Sequence, residues 1–184
     1  MMHTRAGFEK VGRDEGFTLT ELLITLVILG ILVGVGVPTF IDATLGSRLG
    51  SAANNLVVSL YLARSEAIKR NTTVRVCPST DGSTCATSAS WQTGWIVMVP
   101  SASNLVLQRQ SALTGNVQVL HKNAALSSAL TTTIDMPPSG IRAGGSNEAF
   151  LVCRASPLGK QERVVSVSTT GRPSVTRTQT GTCS

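Results

Sequence analysis

Histidine is scarce in this 184-residue chain: His3 and His121 are the only two. The four cysteines, Cys77, Cys85, Cys153 and Cys183, include no C-x-x-C pair. A Cys/His zinc set therefore has too few ligands at the wrong spacing. No G-x-S-x-G nucleophile turn and no GxxxxGK[ST] phosphate loop occurs. Asp42, Glu66, Asp81, Asp135, Glu148 and Glu162 show no spacing that pairs two carboxylates for acid–base work. Catalysis, a metal and a cofactor are thus not expected. His121 falls in a strand-like run and reads as a half-buried strand residue. Aromatics make up 4% of the chain, and Trp91 and Trp95 read as core or strand-edge packing.

Charge is missing from one long run. Between Leu22 and Ile41 there is no ionisable side chain. About 20 residues form a helix of roughly 30 Å, enough to cross a bilayer core. Glu21 stands at the entrance, in EGFTLTELLITLVILGILVGVGVPTF. A carboxylate inside such a run costs roughly 2.5–3.5 kcal/mol on insertion scales, so it calls for a partner. Snorkelling to the interface is the plain alternative. The run is longer than a signal-peptide core, and no A-x-A cleavage site follows it.

The run passes directly into IDATLGSRLGSAANNLVVSLYLARSEAIKR. There Ile41, Leu45, Leu49, Ala53, Leu56, Leu60, Ala63 and Ala67 recur every three or four residues, which is one apolar stripe on a helix. Arg48, Asn55, Arg64, Lys69 and Arg70 lie mostly off it. Pro38 predicts a kink. Gly30, Gly34 and Gly36 each weaken the helix by roughly 1 kcal/mol relative to alanine, and Gly30 with Gly34 makes a close-packing GxxxG. A rod that is apolar all round and then along one stripe has the pattern of a polymer subunit.

The formal net charge is +6. The first 16 residues carry Arg5, Lys10 and Arg13 against Glu9, Asp14 and Glu15, so the excess belongs to the rest. A basic balance permits binding to nucleic acid or anionic surfaces. Four cysteines behind a membrane-targeting segment suggest disulfides in an oxidising compartment. Of the three pairings, the favoured one joins Cys77 to Cys85 across a short polar loop, and Cys153 to Cys183, tying the tail to a strand. The chain-entropy model gives ~2.6 and ~3.7 kcal/mol for the two.

After Arg70 the pattern changes to short β-like runs at 73–77, 94–99, 105–109, 116–121, 131–136, 149–153 and 163–168. Turn signals separate them at 81–82, 114–116, 137–140 and 169–171. The class is α+β: a long N-terminal helix packed on an antiparallel β-sheet domain.

The sequence Gly16-Phe17-Thr18-Leu19-Thr20-Glu21, joined to its apolar run, resembles the type IV prepilin processing motif. The resemblance implies cleavage by a prepilin peptidase after Gly16 and methylation of Phe17. Glu21 is then the fifth mature residue, and Pro38 takes the place of the family's proline near the end of the span. The acid would neutralise the new amine of its own or a neighbouring subunit; a desolvated pair costs far less than a lone buried charge. In pilins the glycine-to-proline segment can melt within the filament.

Four further stretches resemble the GspH/FimT family of minor pilins and pseudopilins: ARSEAIKRNTTVRVCPS, WQTGWIVMV, IDMPPSG and VVSVSTTGR. With the leader, the resemblance covers most of the chain. It implies residues 1–16 as leader, 17–41 as the transmembrane half of the helix, 42–70 as its amphipathic half, and 71–184 as a periplasmic β-domain. The implied role is a structural subunit of a type IV pilus or a type II secretion pseudopilus, in filament initiation or at the tip. Its partners would be other pilins or pseudopilins, the prepilin peptidase and the inner membrane, with the N-terminus cytoplasmic.

An alternative role is DNA uptake. The basic residues Lys160, Arg163, Arg172 and Arg177 lie in the C-terminal third. FimT-like DNA receptors carry Gly-Arg-x-Arg in this region. Here Gly171 and Arg172 match, Ser174 takes the second arginine's place, and Arg177 follows three residues later. No aromatic residue lies nearby to stack on bases.

Overall fold

The computed structural model describes residues 16–101, 104–130, 133–142, 147–154, 161–178 and 183. The chain divides into two units, Met1–Ile41 and Asp42–Ser184. In the first unit, helix α1 (Leu19–Arg70) begins after the irregular residues 16–18. Leu19–Val37 has a mean hydropathy of 2.4 with no residue buried, so this helix is long and apolar enough to cross a membrane. Leu22, Val27, Leu32 and Val37 all face outward. Helix α1 is unbroken at Pro38.

In the second unit the same helix has one inward face. Leu45, Leu49, Ala52, Ala53, Leu56, Leu60, Ala63 and Ala67 are buried there. Ile41 is 51% exposed, so the apolar stripe starts one turn later than the sequence suggested. Each fully buried leucine contributes about 1.5–3 kcal/mol. Ala52, Ala53, Ala63 and Ala67 join the leucines in the core cluster. The helix ends in a Schellman motif. Asn71 takes φ +50°, and the N–H groups of Asn71 and Thr72 donate to the carbonyls of Ile68 and Ala67.

Among the described residues eight strands follow: β1 (Val74–Pro78), β2 (Trp95–Val99), β3 (Leu105–Gln110), β4 (Val117–Asn123), β5 (Ile134–Met136), β6 (Glu148–Arg154), β7 (Glu162–Val167) and β8 (Pro173–Thr178). They form two four-stranded antiparallel sheets. Their orders are β3-β2-β1-β5 and β4-β6-β7-β8. Alternation explains how both sheets serve one core. Val74, Val76, Trp95 and Val97 of the first sheet and Val119, Phe150, Val152 and Val165 of the second join the helix stripe in a single cluster. The residues between them point the other way. Ile96 and Met98 cluster with Cys77; Ala149, Leu151 and Val164 cluster with Cys153.

The core also holds polar hardware. Trp95 Nε1 donates to Ser59 Oγ at 2.9 Å, and that hydroxyl donates to Asn55 O at 2.9 Å. A buried indole N–H and a mid-helix serine thus satisfy each other. Trp91 is buried as well, edge-on to Phe150 with ring centroids 4.8 Å apart.

Strand β8 lies beyond the last β-like run read from the residues, 163–168. Four of its six residues are exposed, so it carries no apolar alternation to find. It begins at Pro173, which fits the first position of an edge strand because no ladder N–H is needed there. The turn before it is fixed by Gly171, with φ +70°. A Cβ on Gly171 would lie 2.5 Å from the carbonyl oxygen of Gly140.

Both cysteine pairs are bonded as favoured from the sequence: Cys77–Cys85 with Cα atoms 5.5 Å apart, and Cys153–Cys183 at 5.8 Å. Within the first loop Asp81 accepts the backbone N–H groups of Ser83 and Thr84 at 2.8 and 2.9 Å. The hydroxyls of Thr84 and Ser79 add two more bonds. These bonds hold the Asp81 carboxyl well below the usual carboxylate range.

Leu56 lies wholly inside the shared core. Leu56→Ala is expected to destabilise the fold by about 2–5 kcal/mol, the range for a large-to-small change in a packed core. Urea unfolding followed by the fluorescence of Trp91 and Trp95 measures it.

Candidate functional site

The entrance to the apolar helix is a capping box. Thr18 precedes the first helical residue, and Glu21 is the third residue of the helix. Glu21 N–H donates to Thr18 Oγ1 at 3.3 Å, and Thr18 N–H donates to Glu21 Oε2 at 3.5 Å. The Thr18 hydroxyl also donates to Oε2, at 3.4 Å. The sequence carried this signal as T-x-x-E before an apolar run, and the reading of Glu21 as a lone acid missed it. The consequence is chemical. The carboxylate is turned back toward Thr18 N, one residue from the Phe17 nitrogen, instead of along the helix. An acid at a helix N-terminus is also favoured by the helix dipole. Gly16 and Phe17 precede the helix and are exposed.

The basic residues of the C-terminal third do not form one site. Lys160 lies outside the described residues. Arg163 is buried, and its Nη1 donates to the carbonyls of Gln161 and Glu162 at 2.7 and 3.2 Å. Burial first, and the facing Arg177 second, push its pKa down. Arg163 and Arg177 are cross-strand partners in the β7–β8 ladder. Arg172 sits in the turn, where its N–H and carbonyl pair with Ser168. The Gly171-Arg172 match to a DNA-receptor motif is therefore accounted for by a hairpin turn, and a buried Arg163 cannot present itself to phosphates.

Sequence reasoning missed one polar cluster. His121 on β4 and Glu148 on β6 are close in space although 27 residues apart, with Nε2 to Oε2 at 2.9 Å. Arg142 Nη2 donates to Glu148 Oε1 at 2.7 Å. His121 is buried, not half-buried, and stacks on Phe150 with centroids 4.5 Å apart. Burial pushes the Glu148 pKa up, but the bonds from His121 and Arg142 outweigh it, and the net shift is down. Among the described residues no three His, Cys, Asp or Glu side chains are grouped to hold a metal. This cluster locks two strands and the segment before β6; it has no open face for a substrate.

A membrane-length helix that runs on as the core helix of a β-domain is the architecture of pilin-like subunits. Residues 52–171 match the family described as type II transport protein GspH, and residues 12–37 match the prokaryotic N-terminal methylation motif. The chain belongs to the GspH family, within the class of minor pilins and pseudopilins. Crystal structures of the type IV minor pilin FimU of Pseudomonas aeruginosa are similar in fold. One is 20% identical, with 71% of this chain and 89% of that chain covered at a TM-score of 0.55. A second crystal form gives 21%, 70%, 92% and 0.53. The minor pseudopilin EpsH of the Vibrio cholerae type 2 secretion system is 12% identical over 73% of this chain and 99% of that chain, with a TM-score of 0.48. The DNA-binding alternative finds no support in the family or in the geometry.

A carboxylate whose pKa is lowered by folding contributes stability that is present above its unfolded value and lost as pH falls through its folded value. For Glu148 that loss begins near its ordinary value of 4.5 and continues below it. Glu148→Gln is expected to lower stability at neutral pH and to flatten its decline on acidification. Melting temperatures of the two proteins from pH 7 down to pH 3, an interval set to bracket the ordinary carboxylate range, check the sign.

Proposed function

We propose that this chain is a minor filament subunit, cut after Gly16, methylated on Phe17 and held in the inner membrane until assembly. The observation that carries this reading is the division of α1. Its residues from Leu19 to Val37 are exposed on every side, while its continuation from Leu45 is core. A helix with no partner of its own over the first half needs lipid or a bundle of like helices. The filament is a type IV pilus or a type II secretion pseudopilus, and the subunit acts in its initiation or at its tip. Residues 1–16 are the leader, 17–41 the transmembrane half, 42–70 the amphipathic half and 71–184 the periplasmic domain. Two disulfides in the β-domain support an oxidising compartment on that side, with the N-terminus cytoplasmic. The chain is a substrate of the prepilin peptidase and not itself an enzyme.

Glu21 has the assembly role. Cleavage makes the Phe17 nitrogen a cationic amine, and the capping box aims the carboxylate toward that end of the chain. An amine of the same or a neighbouring subunit can then be matched by an acid at a fixed depth, which sets register. Mass spectrometry of membrane-extracted protein is expected to find a mature N-terminus at Phe17, 14 mass units heavier for one methyl group. A mature N-terminus beyond Pro38 would sink the processing claim.

Glu21→Ala is expected to insert as well as the parent but to enter filaments about tenfold less or worse. Breaking a desolvated pair by removing one partner costs roughly 3–5 kcal/mol. Immunoblots of sheared filaments against membranes give the ratio; unimpaired incorporation would mean that Glu21 only snorkels.

A further inference from the structure

Beyond Asp42, the acids of the second unit are all engaged within the chain. Glu66 is held by Lys69 and Arg70, Asp135 by Arg75, and Glu148 by His121 and Arg142. Asp81 closes its own loop, and Glu162 is buried. Arg48 is the contrast. It lies on the exposed side of α1, and among the described residues no carboxylate forms an ion pair with it.

Arg48 nevertheless has a built setting. It lines a cleft of about 240 Å³ between α1 and the segment joining β3 to β4, together with Ser47, Ser51, Asn55, Gln110 and Thr114. The guanidinium lies against the turn at Gly115. A Cβ at that position, where φ is +78°, would fall 2.2 Å from Nη1. Glycine is what lets the arginine lie there. The cleft thus holds one cation with five neutral hydrogen-bonding side chains around it. A guanidinium fork offers five donors, and a carboxylate takes two of them in parallel.

We propose that this cleft receives an aspartate or glutamate side chain of a different subunit in the filament; the inference rests on the filament reading above. A second copy of this chain fits poorly. The acids beyond Asp42 in a second copy are the engaged ones just named, and each copy carries a formal +6. Like-charged copies repel, whereas an acidic neighbour is drawn in. An ion pair at such an open site fixes orientation and partner choice more than affinity. The cleft opens beside the helix that the filament stacks, so an acid there sets which subunit can follow which.

The test places a benzophenone amino acid at Ser51 in the full-length chain, in cells that build the filament. Irradiation is expected to cross-link it to another pilin-like subunit, at a peptide that mass spectrometry shows to carry Asp or Glu. Arg48→Gln is expected to cut the yield about fivefold, the upper range for an exposed ion pair, while Arg48→Lys retains most of it. Failure to cross-link, or cross-linking to a second copy or to lipid, overturns the proposal. So does a yield that Arg48→Gln leaves unchanged. Blotting the sheared filament fraction separates the two readings. If the parent chain is absent there, the filament reading falls and this inference with it. If the chain is present but its cross-link ignores Arg48, this inference alone falls.

Discussion

One buried helix face organises the second unit. Leu45, Leu49, Leu56 and Leu60, spaced with small residues between them, are the common floor for two sheets that share no strand. Neither four-stranded sheet could bury its inner face alone. The helix supplies the surface that both need. Ser59 adds direction to this apolar contact, because its hydroxyl takes the indole N–H of Trp95. A nonpolar residue at position 59 would fill the same space and leave that N–H without a partner. The helix position is therefore fixed both by packing and by one hydrogen bond at its centre.

The two halves of α1 show how one secondary structure answers two solvents. Over Leu19–Val37 the side chains are apolar on every face and none is buried within the chain. From Leu45 onward one apolar face is buried under the β-domain, while Val58, Tyr61 and Ile68 stay exposed on the other side. The single charged residue of the first half, Glu21, sits in the opening turn, where a capping threonine holds it. An acid three positions further in would sit in the helix interior with no free backbone N–H to accept from. The capping box thus lets a charge occupy an apolar segment while the helix begins cleanly.

Much of this was legible in the residues. Periodicity located α1 and its stripe, since a 3.6-residue repeat of Leu and Ala has few other meanings. Seven of the eight strands announced themselves by β-branched runs. Strand β8 did not, because an edge strand with one exposed face and one open side needs no apolar alternation; PSVTRT reads as a tail until its partner is known. The α+β class was legible, but the division of the strands between two sheets was not, because alternation reports which face is buried and not which strand is the neighbour. At the candidate site, Glu21 stood out as the acid before an uncharged run, and Gly16 and Phe17 through the resemblance to the prepilin motif. The reciprocal bonds of Thr18 were also written there, but the membrane cost of Glu21 drew the reading away from its local chemistry. The cluster of His121, Arg142 and Glu148 was beyond reach, since its members meet only through the β4–β6 register.

The bridge from Cys153 to Cys183 bears on how this protein stays a separate molecule among its neighbours. Strand β8 is the last strand and an outer one, joined to the rest by a short hairpin. Such strands are the ones that exchange between copies. Here the chain beyond β8 returns to β6, two strands away, and is covalently fastened there. The strand is held at both ends. To donate it to another copy, the hairpin would have to open and the far end would still be attached to its own sheet. The bridge thereby keeps each copy from trading its last described strand with another.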